Sequence, residues 1–286
     1  MNAQSGAIER KILESAAIEN WRRSGFHLPV RVMSEEKAAE YVHRMQNCEA
    51  SRGPIEGNDR HKTHLLYTWA NEIVREEKIL DAVEDLIGPN ILCWTTNLFV
   101  KEAGSPAFVS WHQDSTYWGL YPDDVVVTAW VALTPATVES GAMRYVPGSH
   151  LSDQIVHEDT YDANNLLSRG QVAKVDIDDD QTVDVVLEPG EISLHHIRML
   201  HDSGPNQADF RRIGLAIRYI PAYVKQTKIE HDSAMLVRGK DDYGHFHLES
   251  PPVADADEAA IAQHADAMAR QVATYYQGTD KTEMRA

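Results

Sequence analysis

The spacing of apolar residues along the chain changes character near Asn90. Before this residue, apolar positions recur every three or four residues, which is the spacing of amphipathic helices. They predict one helix over residues 7–24, a second from about Ser34 and a third over residues 68–86. Residues 25–29, with a glycine and a proline, are expected to end the first helix. The first third of the chain is therefore predicted to be mainly helical.

After Asn90, short runs of β-branched and aromatic residues alternate with Gly, Pro, Asn and Asp, as in strands joined by turns. The runs are not separated by the long helices that connect parallel strands. The pattern therefore favours a mainly β fold with flanking helices, built on an antiparallel double sheet such as a jelly roll. The predicted strands cover residues 91–101, 108–113, 125–133, 142–146, 182–187, 192–196 and 213–220.

The length of the chain, 286 residues, suits a single domain, because all-β units commonly reach this size. We expect a helical N-terminal part over about 1–89, a β core over about 90–221 and a C-terminal part over about 222–286. Within the C-terminal part, residues 238–246 form either a lid-like loop or an ordinary surface loop, and residues 254–276 form a surface helix that packs on the core.

Composition narrows the classes of function. Hydrophobic residues make up 43% and charged residues 25% of the chain, which is typical of a folded protein. The formal net charge of −17 argues against a general affinity for nucleic acid or for an anionic membrane. Cys48 and Cys93 are too few for a disulfide framework. Because no apolar run resembles a signal peptide or a membrane span, a cytoplasmic protein is predicted.

Candidate chemistry lies in Trp111-His112-Gln113-Asp114, just after a predicted strand. Side chains two residues apart on a strand share a face, so His112 and Asp114 are expected to point the same way. With a second histidine from a distant strand they would form a two-histidine, one-carboxylate site for ferrous iron with open coordination positions. The candidates for that histidine are His150, His157, His195, His196 and His201, and spacing alone does not choose among them.

His201 is favoured by its neighbours. It opens the stretch His201-Asp202-Ser203-Gly204-Pro205-Asn206, whose turn residues are expected to fold the next strand back beside it. That strand begins at Arg212, and a guanidinium there would hold the far carboxylate of a dicarboxylic co-substrate bidentately. Arg211 must face the other way. Ser203 shares a face with His201 and would donate its hydroxyl to the same carboxylate.

The strand that follows Arg212 also shows a useful alternation. Gly214 and Ala216 fall on the Arg212 face, where small side chains leave room for a ligand. The aliphatic residues Ile213, Leu215 and Ile217 fall on the opposite face and are expected to pack under the helices. Trp130, in the strand of residues 125–133, is expected to be either a core residue or part of a cofactor wall.

Four segments together resemble the phytanoyl-CoA dioxygenase family: residues 111–114 (WHQD), 141–150 (GAMRYVPGSH), 201–206 (HDSGPN) and 212–215 (RIGL). The resemblance covers about residues 94–221 and implies a double-stranded β-helix core of the cupin-like type. It also implies Fe(II) and the co-substrates 2-oxoglutarate and O2. By the matching positions it assigns the iron to His112, Asp114 and His201, and 2-oxoglutarate to Arg212, Ser203, Lys101 and Trp118.

The resemblance further implies the class of reaction. We expect hydroxylation of an unactivated carbon in a small-molecule substrate, with release of succinate and CO2, by a monomer or homodimer. Family members that chlorinate have a small residue where Asp114 stands, so halogenation is not expected. Desaturation, cyclisation or epoxidation at the same iron centre stays open. So do a metal-dependent cupin-like hydrolase or isomerase and a non-catalytic barrel that binds a small ligand.

Overall fold

A computed structural model describes residues 10–281 and residue 284. The helices of this part of the chain are α1 (Ser15–Ser24), α2 (Glu35–Arg52), α3 (Thr68–Val74), α4 (Glu77–Ile87), α5 (Ser115–Trp118) and α6 (Glu258–Tyr275). Its strands are β1 (Phe26–Arg31), β2 (Ile91–Lys101), β3 (Val109–His112), β4 (Leu120–Tyr121), β5 (Val127–Ala132), β6 (Met143–Tyr145), β7 (His157–Asp159), β8 (Gln171–Ala173), β9 (Val183–Val185), β10 (Glu191–His196), β11 (His201–Ser203), β12 (Arg212–Pro221), β13 (Lys225–Gln226), β14 (Ser233–Arg238) and β15 (His247–Leu248).

Two antiparallel sheets form the centre of the fold. The larger has the order β1-β10-β5-β12-β2-β14-β15, in which only the β14–β15 pair is parallel, and the smaller has the order β3-β11-β6-β9. Trp130 of the larger sheet and Met143 and Tyr145 of the smaller one belong to the same apolar cluster, which therefore lies between the sheets. This arrangement confirms the predicted antiparallel jelly roll.

The helices of the N-terminal part cover the outer face of the larger sheet. Ile213, Leu215 and Ile217 of β12 share an apolar cluster with residues of α2, α3 and α4, such as Ile73 and Leu80. The alternation predicted for this strand is therefore confirmed on its outward face. Burying each side chain of this size contributes roughly 1.5–3 kcal/mol to the stability of the fold, so the helices and the sheet stabilise one another.

The N-terminal part departs from the prediction in two places. Residues 26–31, expected only to end a helix, form strand β1 at the edge of the larger sheet. An edge strand tolerates Pro29, whose missing N–H costs no ladder hydrogen bond there. The first helix begins at Ser15, because the carboxylate of Asp85 accepts the backbone N–H groups of Lys11, Ile12 and Leu13 and holds them outside it. The predicted residues 7–9 lie outside the described residues.

The predicted third helix is split into α3 and α4. The backbone carbonyl of Val74, at the end of α3, accepts a hydrogen bond from the hydroxyl of Tyr219 at 3.0 Å. A side chain from β12 thus satisfies a carbonyl that the end of the helix leaves without an intrahelical partner.

The C-terminal part contains a strand that the sequence did not reveal. Residues 233–238 form β14, which pairs antiparallel with β2. The guanidinium of Arg238 contacts the carboxylates of Asp81 and Glu84 on α4. Residues 238–246, expected to form either a lid-like loop or an ordinary surface loop, therefore begin at the end of a strand anchored to a helix. The predicted surface helix is present as α6, which Asp257 caps by accepting the N–H of Ala260 at 2.9 Å. Within the described residues, no helix has the length and apolar character needed to span a bilayer.

Candidate metal centre

His112, Asp114 and His201 converge in the smaller sheet. Strands β3 and β11 pair so that His201 lies opposite His112. One ligand atom from each of the three residues lies within 4.8 Å of the others, and all three side chains are buried. Asp114 joins them differently from the prediction: β3 ends at His112, and Asp114 has helical backbone angles at the start of α5. The turn into this helix, rather than strand alternation, directs the carboxylate to the histidines.

Hydrogen bonds fix which nitrogen of each imidazole is available to a metal. The Nδ1–H of His112 donates to the carbonyls of Ser110 at 2.9 Å and His201 at 3.1 Å. The Nδ1–H of His201 donates to the carbonyl of Met199 at 2.9 Å. A carbonyl only accepts, so Nδ1 carries a proton in both rings and Nε2 is the nitrogen left for a metal. This is the usual orientation of metal-binding histidines.

The electrostatic surroundings favour the protonation states that a metal requires. Burial alone would raise the pKa of Asp114, but the charge of the neighbouring Arg218 guanidinium holds it well below its usual range. Burial and the neighbouring His112 keep the pKa of His201 well below that of a free histidine. The site therefore presents an ionised carboxylate and a neutral imidazole near neutral pH, which are the ligand forms of these groups.

A cavity beside the two histidines, here called the Arg212 cavity, is lined by Phe99, Trp130, His195, Ser203, Arg212 and Ala216, among others. Arg212 is 1% exposed, and its Nε and Nη1 have no hydrogen-bond partner. Burial lowers its pKa to about 10, which still leaves it charged at neutral pH. Its guanidinium lies 5.2 Å from the ring centre of Trp130, which is thus both a core residue and a cavity wall. A buried, unsatisfied cation of this kind calls for an anionic ligand.

The two arginines at the head of β12 face opposite ways, as predicted. Arg211 forms ion pairs with Glu49 at 2.6 Å and with Glu102 at 2.7 Å, both away from the cavity.

The predicted position of β12 beside His201 is wrong, however. After Gly204-Pro205-Asn206 the chain crosses to the larger sheet, where the side-chain amide of Asn206 donates to the carbonyl of Lys101 at 3.1 Å. Arg212 therefore faces His201 across the cavity.

Ser203 and Lys101 lie one behind the other. Ser203 lines the Arg212 cavity, and the Nζ of Lys101 donates to its Oγ at 2.7 Å and to the carbonyl of Gly204. Burial and the nearby charge of Arg212 lower the pKa of Lys101 to about 6. Lys101 is not among the residues that line the cavity, so the structure places it behind Ser203.

Trp118 lies on the other side of the centre from Arg212. It lines a second cavity, here called the Arg60 cavity, with Arg60, Asn97, Asp114, Arg218 and Tyr275 among others. The guanidinium of Arg218 lies 5.1 Å from the centre of the Trp118 ring. The two cavities share Phe99 and Arg218. The candidate metal site thus has one cavity on its histidine side and another on its aspartate side.

Two residues at the centre were not assigned from the sequence. Arg218 places Nη2 3.4 Å from Oδ2 of Asp114, and counting in twos along β12 from Arg212 would have put it on the cavity face. His195 was considered only as a rival ligand. Its Nε2 lies 3.9 Å from Oδ2 of Asp114 without a hydrogen-bond partner, and its Nδ1 is 2.8 Å from the hydroxyl of Tyr145. No sequence signal distinguished it from its neighbour His196.

The donor set fits the predicted cofactors. Two neutral imidazoles and one carboxylate form the facial ligand set of non-haem ferrous iron, which leaves positions for a chelating co-substrate. The unsatisfied Arg212 guanidinium in the adjoining cavity matches the second carboxylate of 2-oxoglutarate in charge and in shape.

Comparison with known proteins leads to the same class of site. A model of the phytanoyl-CoA dioxygenase family matches residues 6–214. The chain is 33% identical over 164 residues to a probable alpha-ketoglutarate-dependent hypophosphite dioxygenase of Stutzerimonas stutzeri, covering 56% of this chain and 55% of that protein. It is 26% identical over 148 residues to the peroxisomal phytanoyl-CoA dioxygenase of Homo sapiens, covering 51% and 44%. The chain thus spans about half the length of the curated relatives it matches.

Solved structures extend the comparison over most of the chain. The apo form of the non-heme monooxygenase ThoJ superposes with a TM-score of 0.78 and 39% identity, covering 89% of this chain and 95% of that one. CytC3 with Fe(II) and alpha-ketoglutarate, at 23% identity and a TM-score of 0.63 over 83% and 93%, shows the same fold. The predicted fold class is thereby confirmed, and the family match together with the buried His-Asp-His triad confirms the predicted cofactors Fe(II) and 2-oxoglutarate. The chain belongs to the phytanoyl-CoA dioxygenase family.

Proposed function

We propose that this protein is an Fe(II)/2-oxoglutarate-dependent dioxygenase that hydroxylates an unactivated carbon of a small molecule and releases succinate and CO2. The proposal is carried by one observation: a buried His-Asp-His triad opens onto a cavity that contains an unsatisfied arginine. In this proposal His112, Asp114 and His201 hold the iron. When bound, iron and 2-oxoglutarate supply the oxidant by oxidative decarboxylation of the co-substrate in the presence of O2.

The residues of the Arg212 cavity then bind and orient the co-substrate. Arg212 donates two parallel N–H groups to the far carboxylate, and the Trp130 ring under it fixes the plane of the guanidinium. The hydroxyl of Ser203 accepts from Lys101, so its own hydrogen is directed elsewhere and is available to the same carboxylate. Lys101 thus acts as a positioning residue. The charge of Arg212 also keeps the cavity attractive to a dianion.

The substrate binds in the Arg60 cavity, beside Asp114. With the co-substrate on the histidine side, the second cavity gives a small molecule access to the centre beside Asp114. Trp118, whose indole is buried among Trp94 and its neighbours, forms a wall there and excludes water. We therefore place Trp118 against the substrate rather than against 2-oxoglutarate.

A substrate screen under oxygen tests the proposal. The iron-loaded protein is incubated with 2-oxoglutarate and pools of small molecules, while succinate is quantified and products are weighed by mass spectrometry. Hydroxylation adds the mass of one oxygen; desaturation or ring closure removes two hydrogens instead. If succinate forms only with the substrate but the product gains no oxygen atom, the reaction is desaturation or ring closure and not hydroxylation.

The other classes of function make different predictions for the same screen. A cupin-like hydrolase or isomerase would convert its substrate without consuming 2-oxoglutarate, and a binding barrel would convert nothing.

Asp114→Ala is the matched variant: we expect weaker iron binding and loss of succinate formation, because one of three ligands is removed. Full turnover by this variant would contradict the assignment of Asp114. The cytoplasmic location and a monomeric or homodimeric state belong to the same proposal, and fractionation and light scattering test them.

A further inference from the structure

The Arg60 cavity is rich in hydrogen-bond donors. Arg60, His61, Asn97, Gln171 and Arg218 all contribute to its lining. The Oε1 of Gln171 accepts from the backbone N–H of Arg169 at 3.3 Å, and its Nε2 has no hydrogen-bond partner in the described chain. A cavity lined in this way is suited to a ligand that accepts hydrogen bonds.

A chain of hydrogen bonds sets the direction of these donors. Arg218 donates from Nη1 to Oδ1 of Asn97 at 2.5 Å and approaches Asp114 with Nη2. Because Oδ1 of Asn97 accepts from Arg218, its Nδ2 donates to Nδ1 of His61 at 2.5 Å. The proton of the His61 ring is therefore on Nε2. The iron site and the far wall of the cavity are thus joined through Asp114, Arg218, Asn97 and His61.

Arg60 forms no ion pair within the described residues, and Glu56 acts on its charge only from beyond ion-pair distance. Its Nε donates to the carbonyl of Leu98 at 3.0 Å, and no carboxylate lies within ion-pair distance of the guanidinium. Arg218 is 5% exposed, and its Nε has no hydrogen-bond partner. Of the described residues that line the cavity, Asp114 alone is acidic, and it is assigned to the metal. The cavity therefore carries an excess of positive charge that a ligand must balance.

The remaining walls are apolar. Phe99, Trp118, Leu166, Leu167 and Tyr275 line the cavity beside the polar residues. We propose that the substrate is a small molecule with an oxyanionic group, which Arg60 and Arg218 bind, and an apolar body, which these walls enclose. This inference rests on the proposed function for the position of the reacting carbon, but the charge preference of the cavity stands by itself.

Calorimetry on the protein loaded with Fe(II) and 2-oxoglutarate in the absence of oxygen tests the charge preference. The probes are phenylacetate, phenylphosphonate and the neutral isostere phenylacetamide, each of which offers an aromatic ring to the apolar walls. We expect the two oxyanions to bind at least tenfold more tightly than the amide, because only they balance the guanidinium charge. A preference for phosphonate over carboxylate would specify the kind of oxyanion.

Arg60→Gln is the decisive variant and Arg270→Gln its matched control, since Arg270 pairs with Asp266 on the surface of α6. Arg60→Gln should lose the preference for phenylacetate over phenylacetamide, Arg60→Lys should keep part of it, and Arg270→Gln should bind as wild type. Equal binding of amide and carboxylate by the wild type, binding of neither oxyanion, or an unchanged preference in Arg60→Gln would each overturn the proposal.

The design separates this inference from the proposed function. Unchanged affinity of Arg60→Gln for 2-oxoglutarate shows that the variant is folded and that the two cavities bind independently. If the wild-type protein fails to bind 2-oxoglutarate, the proposed function fails, and titration of the same probes into the protein without co-substrate still decides whether Arg60 selects oxyanions.

Discussion

Arg212 is the residue whose removal separates co-substrate binding from iron binding. It lies in the Arg212 cavity and is not one of the three candidate ligands. Removing one partner of a buried, hydrogen-bonded charge pair costs about 2–5 kcal/mol of binding free energy. We therefore expect Arg212→Ala to weaken 2-oxoglutarate binding roughly 30-fold or more, at about 1.4 kcal/mol per factor of ten, while Fe(II) affinity stays within a few-fold. Calorimetric titration of each ligand measures both quantities.

The adjacent arginine provides the control. Arg211→Ala removes an equal charge, but its partners Glu49 and Glu102 lie on the outer face of the strand. Its 2-oxoglutarate affinity should equal that of the wild type. Equal losses in the two variants, or a parallel loss of iron and 2-oxoglutarate in Arg212→Ala, would contradict the assignment of Arg212.

At the scale of one element, Gly214 of β12 shapes the Arg212 cavity, because its missing side chain leaves room for the Trp130 indole. A Cβ at this position would lie 2.0 Å from Cζ2 of Trp130. The strand cannot retreat, because Gly214 pairs with Phe99 on one side and Ala132 on the other. Gly214→Ala must therefore displace the indole that lies under Arg212. We expect about 1–3 kcal/mol lower stability from overpacking, and at least tenfold weaker 2-oxoglutarate binding, measured by urea unfolding and calorimetry.

Ile213→Val, one residue away on the opposite face, is the matched control. Ile213 packs in the cluster under the helices, so its truncation should cost about 0.5–1.5 kcal/mol of stability and leave 2-oxoglutarate binding unchanged. Wild-type affinity in Gly214→Ala would show that Trp130 does not position the guanidinium.

The same strand shows why part of the structure was predictable. Alternation along residues 212–218 specifies both faces of β12, because period two follows from strand geometry alone. Strands β1 and β14 were not predicted, because their pairing depends on a neighbour far away in the sequence and their own residues alternate weakly. The motifs predicted the triad, whereas the contacts of Arg60 and His195 depend on how distant segments meet.

At the scale of the whole molecule, one buried ion pair joins parts of the chain that are far apart in the sequence. Lys62, before α3, donates from Nζ to Oε1 of Glu249 at 2.5 Å and to the carbonyls of Trp94 and Ser233. Both side chains are buried. Leaving one partner of such a pair unmatched costs about 3–5 kcal/mol. We expect Glu249→Gln to lower the unfolding free energy by this amount in urea titrations.

A surface carboxylate serves for comparison. Glu230 has a side chain that is 94% exposed and lies 4.0 Å from His231. Exposed pairs contribute about 0–1 kcal/mol, so Glu230→Gln should change stability by less than that. A loss below 1 kcal/mol in Glu249→Gln would mean that the pair does not tie the C-terminal part to the core.

Buried neutral histidines give the whole molecule a predicted acid sensitivity, and His196 carries the clearest part of it. Burial, together with the neighbouring His150, lowers its pKa to about 4, whereas an unfolded histidine titrates near 6.5. Between these values the unfolded chain binds the proton and the folded chain does not, so stability falls as pH falls from about 6.5 to 4. The slope from one such group approaches about 1.4 kcal/mol per pH unit at most. Urea unfolding at a series of pH values should show a shallower slope for His196→Gln and an unchanged one for the exposed His231→Gln; equal slopes in all three proteins would contradict the prediction.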